Sequence, residues 1–320
     1  MDSNGVLVIG SMNYDSFYSL PRTMRIGENL HAVHYQTACG GKGANQAVQC
    51  AKLGLPTTMF GCLGSDSYGD QILEGMTNYG VDMRYVKRTN VPTGNASIWV
   101  YPDSEVQAAI FGGANMCVEK EDIDEILPLI KRSKIVILQN EIPIKTIEYC
   151  VKSSKESGCY LIYNAAPALD VSQDMMKRVD LFVVNEAEAS YYSHTDIHDL
   201  DSAKQGAMRL ASLLEGNLIL TLGSLGSLVV CDHEIHHIPA EKVHAVETTG
   251  AGDSFVGALA YGILNDLSIL ESARVATRAS AITVSSVGAQ PSMPTLEQLL
   301  AAEKRSDHLL GDDFNCLESF

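Results

Sequence analysis

The sequence lacks the marks of a secreted or membrane-bound chain. Its eight cysteines, at positions 39, 50, 62, 117, 150, 159, 231 and 316, include no C-x-x-C pair. Scattered through 320 residues, they fit reduced thiols packing as small hydrophobes, not the disulfide framework of a short secreted domain. No apolar run reaches the ~20 residues that a membrane span needs; residues 255–264 are among the longest. The start, Met1-Asp2-Ser3-Asn4-Gly5 and then a short apolar run, has no basic region and no long apolar stretch, so no secretory leader is expected. Positive charge is scarce too: 23 Lys and Arg stand against 39 Asp and Glu, a net −16. That argues against non-specific binding to nucleic acid or an anionic membrane, which needs basic patches. It leaves a phosphate ligand open, because backbone N–H groups and metal ions hold phosphate inside acidic proteins. The expected location is the cytoplasm, or the nucleus in a eukaryote.

What the chain does have is alternation. Short apolar runs at 6–10, 57–63, 134–139, 160–164, 181–184 and 217–222 read as buried strands. Between them, 44–53, 68–79, 144–154 and 201–214 carry apolar residues at helical spacing. The expected class is α/β, a mostly parallel sheet with helices on both faces. Two stretches break the pattern. Residues 12–36 show no helix, and 96–101 with 106–110 read as two strands around a turn at Pro102-Asp103-Ser104. The latter pair is expected to be a small antiparallel patch apart from the main sheet, and the two insertions, at about 13–38 and 93–112, to form a small β-sheet lid on a single domain spanning 1–302. Residues 303–320 read as a polar tail.

Two glycine-rich segments each open a helical pattern. In Thr248-Thr249-Gly250-Ala251-Gly252-Asp253, either threonine can cap the helix, and the small residues let a ligand approach the backbone. Free N–H groups at the positive helix end make an anion site. A carboxylate aimed at that site repels phosphate unless it has another task, such as accepting a proton from an attacking hydroxyl. An ordinary capped helix would carry the same letters. The segment is no Walker A loop, since no G-K-[ST] follows, and its glycine spacing does not fit the dinucleotide fingerprint. In Gly40-Gly41-Lys42-Gly43-Ala44-Asn45, Lys42 and Asn45 offer a cation and an amide to a polyhydroxyl or phosphate ligand. Asn13 and Asp15 follow the first strand, two apart, and so point the same way if extended; an Asx turn is the other reading.

Together these pieces resemble the PfkB-type carbohydrate kinase family, most closely its ribose-phosphorylating members, over roughly residues 5–302. Five signatures stand in the family's order: Gly10-Ser11-Met12-Asn13-Tyr14-Asp15, residues 40–47, Asn185-Glu186-Ala187-Glu188, Thr221-Leu222-Gly223-Ser224-Leu225-Gly226 and the segment ending at Asp253. Gly288-Ala289-Gln290-Pro291-Ser292 closes the set. The resemblance implies a ribokinase-like three-layer fold and ATP-dependent phosphorylation of D-ribose at its 5-hydroxyl, or of another small sugar or nucleoside such as deoxyribose, fructose or adenosine. It also implies the roles. Asp253 is the general base. Asn13, Asp15, Gly41, Lys42, Asn45 and Glu141 bind sugar, and Gly250, Ala251 and Gly252 form the anion hole. Thr221, Leu222, Gly223, Ser224, Leu225, Gly226 and Thr277 line the nucleotide site. Asn185 and Glu188 order Mg²⁺ through water, and Asn185 also contacts the nucleotide. Glu247, Thr249, Thr283, Ser286, Gly288 and Ser292 hold a monovalent cation, usually K⁺. The lid implies a homodimer. A non-catalytic sensor on the same fold is disfavoured, because Asp253, Asn185 and Glu188 are all retained.

Glu247 departs from the family's usual Asp, and Thr277 from its usual Asn or His. The run His233-Glu234-Ile235-His236-His237 reads as an exposed hairpin, not a metal site. The acidic run 119–125 reads as the solvated start of a helix.

Overall fold

The computed structural model describes residues 5–102 and 106–303. β1 (Val6–Ile9) leads to β2 (Asn13–Ser19), β3 (His34–Gly40) and α1 (Lys42–Lys52). Next come β4 (Thr57–Phe60), β5 (Cys62–Gly64), α2 (Ser67–Asn78), β6 (Lys87–Thr89), β7 (Gly94–Val100) and β8 (Val106–Phe111). α3 (Lys120–Glu125) and α4 (Leu127–Arg132) precede β9 (Ile135–Gln139), α5 (Ile144–Glu156), β10 (Tyr160–Asn164), α6 (Gln173–Lys177) and β11 (Leu181–Asn185). α7 (Glu186–Ser193), α8 (Leu200–Ala211), β12 (Asn217–Thr221), β13 (Ser227–Cys231), β14 (Glu234–Ile238), α9 (Ala251–Leu264) and α10 (Ile269–Val284) follow, and the described residues end in a helical stretch over 296–303.

The main sheet has eight strands in the order β14-β13-β12-β11-β10-β9-β1-β4. The six from β12 to β4 are parallel, and β13 and β14 add an antiparallel edge. Alternate residues of each central strand enter opposite cores. Leu7, Ile9, Val136, Leu138 and Phe182 pack on one side; Val6, Val8, Ile135, Ile137 and Val183 pack on the other, with the apolar faces of α1, α9 and α10. Burial on both faces explains why the strands are continuous apolar runs without alternation.

A second sheet, in the order β3-β2-β7-β8, is built from the two stretches that broke the α/β pattern. The strand pair expected to be antiparallel is so, β7 with β8, and β2 and β3 are antiparallel too; β2 runs parallel to β7, which makes the whole sheet mixed. The two hairpins come from distant parts of the chain, so their relative direction is a tertiary choice. The run expected as one strand over 57–63 is two. Gly61 breaks it, its carbonyl accepting from Lys87 N–H (2.9 Å), and β5 leaves the main sheet to pair with β6. The histidine run lies where expected, on the β13–β14 hairpin at the sheet edge. The turn expected at 102–104 falls largely outside the described residues, as does the tail beyond 303.

Candidate active site

The loops leaving β1, β9, β11 and β12 and the N-termini of α1, α7 and α9 meet at the carboxyl edge of the parallel sheet, where open α/β sheets bind ligands. At its centre is Asp253, in the first turn of α9 and only 8% exposed. The cap of α9 is Gly250 at φ 80, with no side-chain cap, so neither Thr248 nor Thr249 plays the expected part. The left-handed turn favours glycine there. Without a capping hydroxyl, the first-turn amides of Gly252 and Asp253 stay available to an anion. Space for one exists among the described residues: a Cβ built on Gly252 would meet none of their atoms within 4 Å.

Both oxygens of Asp253 are engaged. Asn45 Nδ2 donates to Oδ2 and Gln46 Nε2 to Oδ1, each at 2.9 Å. Burial pushes the carboxyl up, Lys42, Asn45 and Gln46 pull it down, and Glu141 pushes it up again; it ends above the ordinary value. For Lys42, burial favours the neutral amine, but Asp253, Glu141 and Glu188 outweigh it and hold the ammonium above its usual range. Glu188 is pushed up, chiefly by burial.

The sugar-side candidates converge on α1 and β2. Glu141 accepts from Ser11 Oγ and from Lys42 N–H (3.1 Å), which fastens the glycine turn to the end of β1. Asn13, at the start of β2, is buried and accepts from Asn115 Nδ2 (2.8 Å). Asp15 sits one pleat further on the same strand, so these two lie in a strand and not in an Asx turn. Its Oδ1 is buried without a partner among the described residues, and its carboxyl is pushed up to about 7 by burial and by Glu141. A buried acceptor with nothing to accept is what a sugar hydroxyl would satisfy.

On the other side, Asn185 and Glu188 form a reciprocal capping box for α7: each side chain accepts the other's backbone N–H at 2.9 Å. The N-x-x-E spacing therefore has a helix-capping role of its own. It leaves Glu188 Oε1 and Asn185 Nδ2 for other partners. Thr221, Leu222, Gly223, Ser224, Leu225 and Gly226 run from the end of β12 through a single exposed 3₁₀ turn into β13. Thr277 lies on α10, buried, with its hydroxyl committed to Ala273 O (2.8 Å).

The candidate cation ligands are partly gathered. Glu247 accepts from Gly288 N–H (2.9 Å), and Ser292 Oγ lies on the carbonyls of Gly288 and Ala289. Thr249 and Ser286 are exposed at the same two loops. The Thr283 side chain is turned away: its hydroxyl is fully buried, 2.8 Å from Ser254 Oγ and 2.9 Å from Ala279 O.

Sequence reading passed over Gln46, Gln139, Gln290 and Asn115, which orient the residues above. Their signal was present. An Asn45-Gln46 pair, followed by Gln49, on an otherwise apolar helix face means buried amides, and buried amides need partners.

Comparison with known proteins agrees with this geometry. The model of the pfkB family carbohydrate kinases matches residues 3–296. A ribokinase of Staphylococcus aureus is 34% identical over 300 residues, 93% of this chain and 99% of its own length. A deoxyribokinase of Salmonella typhi is 31% identical, covering 92% of this chain and 96% of its own. The structure of Arabidopsis thaliana ribokinase complexed with ribose and ATP superposes with a TM-score of 0.88 at 31% identity, covering 94% of this chain and 98% of that one.

Proposed function

The chain belongs to the pfkB family of carbohydrate kinases, and from that premise we propose that this ATP-dependent sugar kinase phosphorylates D-ribose at the 5-hydroxyl, giving ribose 5-phosphate and ADP. The observation that carries the reading is Asp253: a buried carboxylate beside Lys42, in the uncapped first turn of α9. The 5-hydroxyl passes its proton to an oxygen of Asp253 as it attacks the γ-phosphorus. The new P–O bond forms while the bond to ADP breaks. A carboxylate suffices as base because the transition state is loose and the proton leaves late. Amides of Gly252 and Asp253, with the Gly250–Ala251 turn, face the negative charge of the transferred group. Asn13, Asp15, Gly41, Asn45 and Glu141 hold the sugar, and the segment 221–226 borders the nucleotide. Asn185 and Glu188, less the atoms used in capping, would hold Mg²⁺. The donor set fits: three carboxylates around Lys42 leave the cleft short of positive charge for a triphosphate. Bound Mg²⁺ would neutralise phosphate charge.

Residues 1–302 act as one domain, with the four-stranded sheet as a lid that keeps water from the phosphoryl group. Ile26, Val33, Tyr35, Ile110 and Phe111 are exposed on this lid and its loop, and every residue of β8 is exposed. That supports a homodimer formed through the lid. Among the described residues no helix is long and apolar enough to cross a membrane.

The experiment is an ADP-release assay over a panel of sugars and nucleosides, with Mg²⁺, with and without K⁺. Turnover should be highest on ribose; higher turnover on deoxyribose would favour the activity of the Salmonella typhi relative, and none on any sugar would sink the kinase reading. The K⁺ site is proposed from Glu247, Thr249, Ser286, Gly288 and Ser292, with Thr283 through its carbonyl alone. These are all oxygen donors, suited to a hard monovalent cation. Glu247→Gln should shift K⁺ activation to higher concentration; identical titrations of variant and parent would remove Glu247 from the site.

Asp15 supplies a pH test. In the unfolded chain it ionises near ~3.9, whereas in the folded enzyme it stays protonated up to about 7. Its contribution to stability is therefore full below pH ~4 and fades as pH climbs to about 7. Sugar hydroxyls donating to the carboxylate favour its ionised form. Binding should expel a proton, and sugar affinity should rise between pH 5.5 and 7.5. Calorimetry in two buffers of different ionisation enthalpy measures that proton directly; no proton release near pH 6 would contradict the contact.

A further inference from the structure

The hydrogen bonds behind Asp253 form two parallel relays. Gln139 Nε2 donates to Gln46 Oε1 (2.7 Å), and Gln46 Nε2 donates to Asp253 Oδ1. Gln290 Nε2 donates to Asn45 Oδ1 (3.1 Å), and Asn45 Nδ2 donates to Asp253 Oδ2. All five side chains are buried. They come from four separate parts of the chain: the end of β9, the first turns of α1, the start of α9 and the loop after α10.

The order of donors and acceptors carries information. An ionised carboxylate only accepts, so a neighbouring amide must turn its NH₂ toward it. An isolated Gln46 could rotate and present its oxygen instead, as it would to a protonated acid. Gln139 opposes that. Its NH₂ occupies the side where Gln46 must place an oxygen, and rotation would set donor against donor. Gln290 fixes Asn45 in the same way. Gln139 is confined by packing, since its Oε1 fills the space a side chain on Gly10 would need, and that oxygen accepts no hydrogen bond among the described residues. Below the relays, Ser254 Oγ donates to Gln49 Oε1 (2.8 Å), and Gly257 lets α9 lie directly on Gln49, so α1 and α9 cannot slide.

We propose that Gln46, Gln139 and Gln290 are positioning residues for the base: the relays Gln139–Gln46 and Gln290–Asn45, in the donor order seen, favour the ionised form of Asp253 and hold its remaining lone pairs toward the sugar hydroxyl. The relays offset a real opposing force. Burial favours the protonated acid, and the charged groups facing Asp253 divide: Lys42 of α1 favours ionisation, while Glu141 after β9 and Glu188 of α7 oppose it. Without the oriented amides the balance moves toward an acid that cannot accept a proton.

This inference rests on Asp253 being the base, and the experiment separates the two. kcat and kcat/KM for the sugar are measured from pH 4.5 to 8.5 for the parent, Asp253→Asn, Gln46→Leu, Gln139→Leu, Gln290→Leu and the double variant Gln46→Leu/Gln139→Leu. An active Asp253→Asn enzyme would end the base assignment whatever the glutamine variants do. With that control inactive, Gln46→Leu should move the acid limb of kcat upward by about one pH unit, a tenfold change in proton affinity, with sugar KM within about threefold of the parent. Gln139→Leu should move it the same way by less, and the double variant no further than Gln46→Leu alone, because the two act in one chain. Gln290→Leu should move the limb and raise KM, since Asn45 also serves the sugar. Should Gln46→Leu not fold by circular dichroism, Gln139→Met, which keeps the volume and removes only the amide, carries the test. A folded variant whose acid limb stays with the parent's, whatever its kcat, overturns the proposal.

Discussion

Asp253→Asn should lower kcat by at least ~10²-fold, the scale of a lost general base, while sugar affinity stays within a few-fold. The substitution keeps the shape and removes the proton acceptor. It also changes the relays. The new side chain can accept from only one of Asn45 and Gln46, and its own NH₂ faces the other donor. A buried donor left without an acceptor costs about 1–3 kcal/mol, so a lower melting temperature should accompany the loss of rate. Single-turnover kinetics with ATP and sugar, beside a sugar titration by calorimetry, separate the two effects. Unchanged kcat would remove Asp253 from the role of base; lost sugar binding with kcat preserved would make it a sugar ligand alone.

Gly43→Ala should be among the most damaging single-methyl additions to the sugar side. A Cβ there would lie 2.7 Å from both the backbone N and O of Ser11 and 2.8 Å from Gly10 C. These are backbone atoms at the exit of β1 and cannot rotate away. Gly43 N–H also approaches Ser11 Oγ (3.3 Å), and Ser11 is tied to Glu141. Relief requires α1 to move off β1, and that carries Lys42, Asn45 and Gln46 away from Asp253. Overpacking of this kind costs about 1–3 kcal/mol and sometimes more, which for a chain of this size lowers Tm by several degrees. Sugar KM and kcat should worsen together, because the proposed sugar contacts and the clamp on the proposed base share one helix turn. Thermal denaturation with steady-state kinetics checks this; a parent-like Tm and KM would mean that α1 and β1 are not held as closely as these contacts require.

Much of the α/β architecture was readable because its strands are buried on both faces and so appear as continuous apolar runs between amphipathic helices. The points of failure share a cause. Residues 57–63 look like one strand, yet Gly61 sends β5 to a partner 25 positions away. The lid reads as paired strands, yet the parallel join of β2 to β7 depends on where two distant hairpins meet. Thr248 and Thr249 are good caps by residue type, yet the turn at Gly250 leaves the helix end open.

The site divides the same way. Sequence alone determined its chemical vocabulary: two glycine turns opening helices, a carboxylate in the first turn of one, and a lysine and amide in the other. These are local properties of backbone freedom and helix polarity, legible within six or seven residues. Only the tertiary structure decided that Asn45 and Gln46 clamp Asp253 across a sequence separation of about 208 residues, that Gln139 and Gln290 orient those amides, and that the Asn185–Glu188 pair caps its own helix. Hydrogen-bond direction and burial depend on which groups meet, and groups so far apart meet only because the sheet gathers its carboxyl ends at one edge.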